Sequence, residues 1–134
     1  MALQLLDHYS VRTPKLEETR AFYVDVLGLT EGHRPKFDFP GHWLYCGERA
    51  VVHLIGAGSV GASAFLGERD ASNLDGTGAL DHIAFRATDL EAMHKTLDAC
   101  QIERRERTIP DLDLHLLFIQ DPNGITVELN YVAG

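Results

Sequence analysis

The chain has little of what marks a secreted, membrane-embedded or nucleic-acid-binding protein. Only two of its 134 residues are cysteine, Cys46 and Cys100, far apart and outside any CxxC or zinc-ribbon spacing. That argues against a disulfide-stapled scaffold and for two reduced, largely packed thiols in a reducing compartment. No apolar run approaches the roughly 20 residues needed to cross a bilayer. The opening stretch, Met1-Ala2-Leu3-Gln4-Leu5-Leu6-Asp7-His8, lacks the basic start and long apolar core of a signal peptide. A cytoplasmic location is expected. Positive charge is also scarce: 12 Lys and Arg against 20 Asp and Glu give a formal net charge of −8. Neither nucleic acid nor an anionic membrane surface is therefore an expected partner. What remains is the ordinary balance of a globular protein, 45% apolar and 24% charged, at a length that suits one compact domain.

One tract is written twice. Leu6-Asp7-His8-Tyr9-Ser10-Val11-Arg12 returns as Leu80-Asp81-His82-Ile83-Ala84-Phe85-Arg86, and Leu16-Glu17 recurs in register as Leu90-Glu91. Each copy predicts a strand running into a helix. Thr13-Pro14 reads as an N-cap with proline at the first helical position, and Thr88 with Glu91 as a capping box. The first helix has an apolar face of Leu16, Thr19, Phe22, Tyr23, Val26 and Leu27, with Gly28 as its C-cap; the second has Leu90, Met93, Leu97 and Cys100. Three short strands should follow each helix, near 31–37, 42–47 and 50–56, then near 104–109, 114–120 and 125–132. Asp121-Pro122-Asn123-Gly124 turns between the last two. The expected fold is α+β, one domain over residues 1–134. It is built of two tandem βαβββ modules, about 3–56 and 79–132, joined by a Gly-, Ser- and Ala-rich linker at about 57–78.

Side chains alternate across a strand, so parity identifies those that share a face. With Tyr9, Val11, Ile83 and Phe85 toward the helices, His8 and His82 point to the opposite face. Val127 and Leu129 place Glu128 on that face, and Val52 and Leu54 do the same for His53. The internal repeat makes these four positions equivalent, and all four are residue types that bind divalent metals. A single strand histidine is more often merely hydrogen-bonded than a ligand. A lone Glu inside Ile125-Thr126-Val127-Glu128-Leu129 is harder to dismiss, because an unpaired buried carboxylate is costly. A metal would offset that cost.

The two Leu-Asp-His starts, Ala21-Phe22-Tyr23-Val24-Asp25-Val26-Leu27-Gly28-Leu29, and Asp121-Pro122-Asn123-Gly124-Ile125-Thr126-Val127-Glu128-Leu129 resemble the vicinal oxygen chelate superfamily over nearly the whole chain. That group includes glyoxalase I, methylmalonyl-CoA epimerase, fosfomycin-resistance proteins, extradiol dioxygenases and bleomycin-resistance proteins. The resemblance implies a cup-shaped mixed sheet with helices on its outer face, a homodimer, and a divalent ion held by His8, His82 and Glu128. His53 stands where glyoxalase I has a glutamate, so it is a fourth ligand or a base. Fe(II) is favoured over Ni, Zn, Co or Mn because two histidines and one carboxylate suit oxygen chemistry. The expected activity acts on a small oxygenated substrate and leans to extradiol-like ring cleavage. A glyoxalase-like lyase or isomerase is the alternative, and a metal-free small-molecule binder is the reading from another class. Glu128, His53 and His115 are the candidate acid–base residues; His33, His42 and His94 read as loop or surface residues.

Overall fold

The strand alternation that the repeat predicts is what builds the core. Val52, Leu54 and Leu44 are completely buried in the first half, and Leu117 and Val127 in the second. Each such side chain contributes roughly 1.5–3 kcal/mol when removed from water. The structure, a computed structural model, describes residues 2–70 and 73–132. It divides into two compact units, residues 1–74 and 75–134.

Unit 1 runs β1 (Tyr9–Thr13), α1 (Leu16–Ala21, continued by a π turn at Phe22–Val26), β2 (Thr30–Gly32), β3 (Gly41–Cys46), β4 (Arg49–Gly56) and α2 (Val60–Leu66). Its sheet order is β1-β4-β3-β2, with β1 parallel to β4 and the other pairs antiparallel. Unit 2 repeats the plan as β5 (Ile83–Ala87), α3 (Leu90–Ala99), β6 (Arg105–Ile109), a 3-10 turn at Pro110–Leu112, β7 (Leu114–Gln120) and β8 (Thr126–Val132). The order β5-β8-β7-β6 and the parallel β5–β8 pair match those of unit 1. Two four-stranded mixed sheets with helices make the chain α+β.

Local chemistry shifts several boundaries from their expected places. Thr13 ends β1 instead of capping α1: its hydroxyl accepts from Lys15 N at 2.8 Å, and α1 begins at Leu16. The second cap is Asp89, one residue after Thr88, held at φ 65° with its side chain accepting from Ala92 N. Asp89 bonds the N–H three residues on, Ala92, so the cap and the helix start lie one residue later than the Thr88–Glu91 pattern placed them. Gly28 does close the first helical segment, at φ +83°, with its N–H on Val24 O. β2 stops at Gly32, where the chain leaves the sheet edge for other hydrogen bonds. Arg34 donates to Phe39 O at 2.9 Å, Tyr45 donates to His33 O, and Pro35 has no N–H to extend a ladder. Part of the expected linker is α2, capped by Ser59, whose hydroxyl accepts from Ala62 N; residues 71 and 72 lie outside the described residues. Both cysteines are free and exposed, not packed. Cys100 falls at the C-cap of α3, where the apolar face has already turned to solvent.

The face toward the helices is settled by contacts. Tyr9 donates to Tyr23 across 3.0 Å, with the two rings edge to face. Between β7 and β8, Asp121 Oδ1 accepts from Asn123 N and Ile125 N, and Gly124 takes φ +81°. That side-chain turn sets the register that follows.

Candidate functional site

Each sheet turns a polar face away from its helix, and the register within each unit places the same two positions side by side. In unit 1 Ser10 pairs with His53, and His8 lies two residues before Ser10. In unit 2 Ala84 pairs with Glu128, and His82 lies two residues before Ala84. Across the antiparallel neighbour, Trp43 pairs with His53 and Phe118 with Glu128. The two halves are therefore equivalent residue by residue at these four positions and at the aromatic beside each pair.

In unit 1 the rings form a column. His8 and His53 stack with centroids 3.7 Å apart and planes inclined by 14°, and Trp43 lies on His53 at 3.9 Å and 11°. His53 Nε2 donates to Ala50 O at 3.0 Å, which leaves its Nδ1 with the lone pair. Burial, followed by the neighbouring His8, holds the His53 pKa below its ordinary value. In unit 2 His82 Nε2 and Glu128 Oε1 are 3.4 Å apart, and the Phe118 ring stands edge-on to His82 at 6.1 Å. Glu128 is 9% exposed.

Both first histidines are held by the residue before them. His8 Nδ1 donates to Asp7 Oδ2 at 2.6 Å, and His82 Nδ1 to Asp81 Oδ2 at 2.8 Å. The hydrogen bond from His8 lowers the Asp7 pKa. With Nδ1 donating to a carboxylate, each neutral ring presents an Nε2 lone pair, the tautomer a metal requires. Among the described residues no three His, Cys, Asp or Glu side chains stand together as a ligand group; the donors come as one pair per unit. The roles of Asp7 and Asp81 were not read from the sequence, although the doubled Asp-His was their signal. Trp43 and Phe118 were also missed, although each lies 10 residues before its partner, His53 or Glu128.

His115 is placed elsewhere. It shares its parity on β7 with buried Leu117 and Ile119, whereas Phe118, opposite Glu128, has the other. His115 Nε2 donates to Glu106 Oε1 at 2.7 Å, and His94 Nε2 of α3 to the same oxygen at 2.8 Å. Thr108 approaches His115 Nδ1 at 3.1 Å. His115 and His94 thus tie β6, β7 and α3 together on the helix side, away from His82 and Glu128. His42 is likewise in a strand, its two nitrogens facing Glu31 and Glu17.

The Glu106 clamp has a pH signature. The hydrogen bond from His115, then that from His94, lowers the Glu106 pKa. A carboxyl depressed by folding contributes stability that is complete above its unfolded pKa, about 4.3 for glutamate, and is lost as pH falls through the folded value. Glu106→Gln is expected to flatten the fall in stability below about pH 4.3 and to leave the slope unchanged between about pH 5 and 6. Urea midpoints measured across that range check it; an unchanged acid limb would remove the clamp.

The chain is similar to known proteins over almost its full length. It is 28% identical over 130 residues to a protein of Arabidopsis thaliana described as Glyoxylase I 4, covering 95% of this chain and 70% of that protein. A glyoxalase-family structure from Bacillus anthracis shares the fold with a TM-score of 0.72 at 24% identity, covering 98% of this chain and 97% of that one. Lactoylglutathione lyase from Agrobacterium tumefaciens does so with a TM-score of 0.67 at 22% identity, covering 98% and 96%. The family model for the Glyoxalase/Bleomycin resistance protein/Dioxygenase superfamily matches residues 5–129, a span that carries both Asp-His pairs, His53 and Glu128, and the chain belongs to that superfamily.

Proposed function

We propose that this chain is a divalent-metal-dependent enzyme with His8, His82 and Glu128 as ligands and a small oxygenated molecule as substrate. The observation that carries the reading is the duplicated Asp–His pair, which orients the Nε2 lone pair of His8 and of His82. Glu128 fits the same donor set. Its nearly buried carboxylate lies 3.4 Å from His82 Nε2, too long for a good hydrogen bond, and burying such a charge without a cation is costly. Two ligand atoms each about 2.1 Å from one ion stand at roughly that separation.

His53 fits less well as a fourth ligand. Lone pairs lie in the ring plane, so two imidazoles inclined by only 14° and stacked at 3.7 Å keep their donors in separate, nearly parallel planes. Donors to one ion must converge. His53 therefore serves as a base or as the packing partner that holds His8, and the ligand set is two histidines and one carboxylate. When bound, the ion supplies Lewis acidity toward two neighbouring substrate oxygens or, as Fe(II), reactivity with O2. The reading favours Fe(II) and opening of a catechol-like ring. Similarity to Glyoxylase I 4 favours a second reading, a lyase or isomerase in which His53 Nδ1 takes the substrate proton.

Elemental analysis of tag-free protein purified anaerobically, beside His8→Ala, is the test. Stoichiometric iron that disappears in the variant supports oxygen chemistry and directs assays to catechols. Nickel, zinc, cobalt or manganese favours the lyase or isomerase. No metal after reconstitution with each ion sinks the enzyme reading and leaves a small-molecule binder. A finer expectation concerns the orienting carboxylates, which are 80% and 93% exposed at the side chain. Asp7→Asn and Asp81→Asn should fold normally yet weaken metal affinity by roughly 10–100-fold each. Chelator competition measures this, and unchanged affinity would strip both residues of the role.

A further inference from the structure

Trp43 and Phe118 occupy matching positions, but their neighbours on the edge strands differ. Arg105 pairs with Phe118 and lays its guanidinium over that ring at 4.4 Å. Gly32 pairs with Trp43 and brings no side chain. A Cβ at Gly32 would come within 2.7 Å of the Tyr45 ring. The glycine thus lets Tyr45 lie across β2, where its hydroxyl is tied to His33 O. Both aromatics are fixed before any ligand arrives, Trp43 by stacking on His53 and Tyr45 by this bond. Fixed aromatic walls lower the ordering cost of binding.

A cavity of about 450 Å³ opens in unit 1, lined by Trp43, Tyr45, Leu5, His53 and Arg49, among others. That volume suits a small organic ligand. Two carboxylates, Asp7 and Glu48, also line it. Asp7 is already taken by His8 Nδ1 at 2.6 Å, and Arg49 is the guanidinium in this lining.

We propose that this pocket binds an aromatic carboxylate, its ring against Trp43 and Tyr45 and its carboxylate on Arg49. The inference deepens the enzymatic reading by naming a substrate class, and it rests on that reading only in calling the ligand a substrate. Arg49 offers two parallel N–H donors, the geometry that carboxylates match.

Trp43 is the sole tryptophan of the chain and lines this pocket, so indole fluorescence reports on binding there. Metal-free protein is titrated with benzoate, benzyl alcohol, cyclohexanecarboxylate and benzylamine, with calorimetry alongside to detect binding that leaves the indole unchanged. Benzoate should bind saturably, at least about tenfold more tightly than benzyl alcohol and benzylamine and at least about threefold more tightly than cyclohexanecarboxylate. Arg49→Gln, at an exposed position, should remove that advantage over benzyl alcohol while leaving the thermal transition in place. No saturable benzoate binding overturns the proposal. So does preference for benzylamine, equal affinity for cyclohexanecarboxylate, or full benzoate affinity in Arg49→Gln. Because no ion is present, this result is independent of the elemental analysis, and either idea can fail without the other.

Discussion

Glu128→Gln is expected to abolish stabilisation by metal while leaving the metal-free protein at least as stable as the wild type. The two halves of that expectation come from one fact, a carboxylate only 9% exposed on a strand between buried Val127 and Leu129. Without an ion the buried charge is a liability, and the isosteric amide removes it. With an ion present the wild type gains free energy by mass action, about 2.7 kcal/mol at a metal concentration 100 times Kd. For a chain of this size that is an upward shift in Tm on the order of 10 °C. Thermal scans of both proteins with and without metal measure the two effects together. A large destabilisation of metal-free Glu128→Gln would mean that Glu128 is a structural hydrogen-bonding residue and would remove it from the ligand set. The opposite signs separate the two roles in a way that loss of activity would not.

Leu97→Ala is expected to cost roughly 2–5 kcal/mol, a large share of the about 5–15 kcal/mol that holds a domain together. Leu97 is fully buried, and it is the one buried residue of α3. A cavity there loosens the helix whose His94 anchors Glu106 on β6. The consequence reaches function, because β8, which carries Glu128, belongs to the same sheet. Cys100→Ser, three residues along the same predicted apolar face, should stay within about 0.5 kcal/mol because Cys100 is exposed. Denaturant midpoints at unchanged slope measure both. Equal costs at the two positions would contradict the burial pattern.

That contrast marks the boundary of what the sequence carries. Period-2 alternation in Tyr9–Thr13, Arg49–Gly56, Ile83–Ala87 and Thr126–Val132 was enough to put His8, His53, His82 and Glu128 on the face away from the helices. A strand has only two faces, and the apolar residues claim one of them. The doubled Leu-Asp-His was enough to give two βαβββ modules and their order. Helix edges were less legible: Leu97 and Cys100 look alike on a helical wheel, and only packing separates the buried one from the cap. The caps themselves moved: α1 begins at Leu16, two residues after Pro14, and Asp89 caps α3 one residue after Thr88.

His115 shows the limit most clearly. Its flanking leucines are compatible with either face, and the decision lay with Glu106 and His94, which only the fold brings to it. The Trp43–His53–His8 column is of the same kind, since its rings come from β3, β4 and the segment before β1. The sequence by itself determined the residue types, their parity and their duplication, all of which are local or periodic properties. Tertiary structure decided which aromatic stands beside each histidine, whereas the nitrogen left with its lone pair is set locally, by Asp7, Asp81 and the Ala50 carbonyl. The aromatic contacts join separate segments of each unit, and no local pattern encodes them.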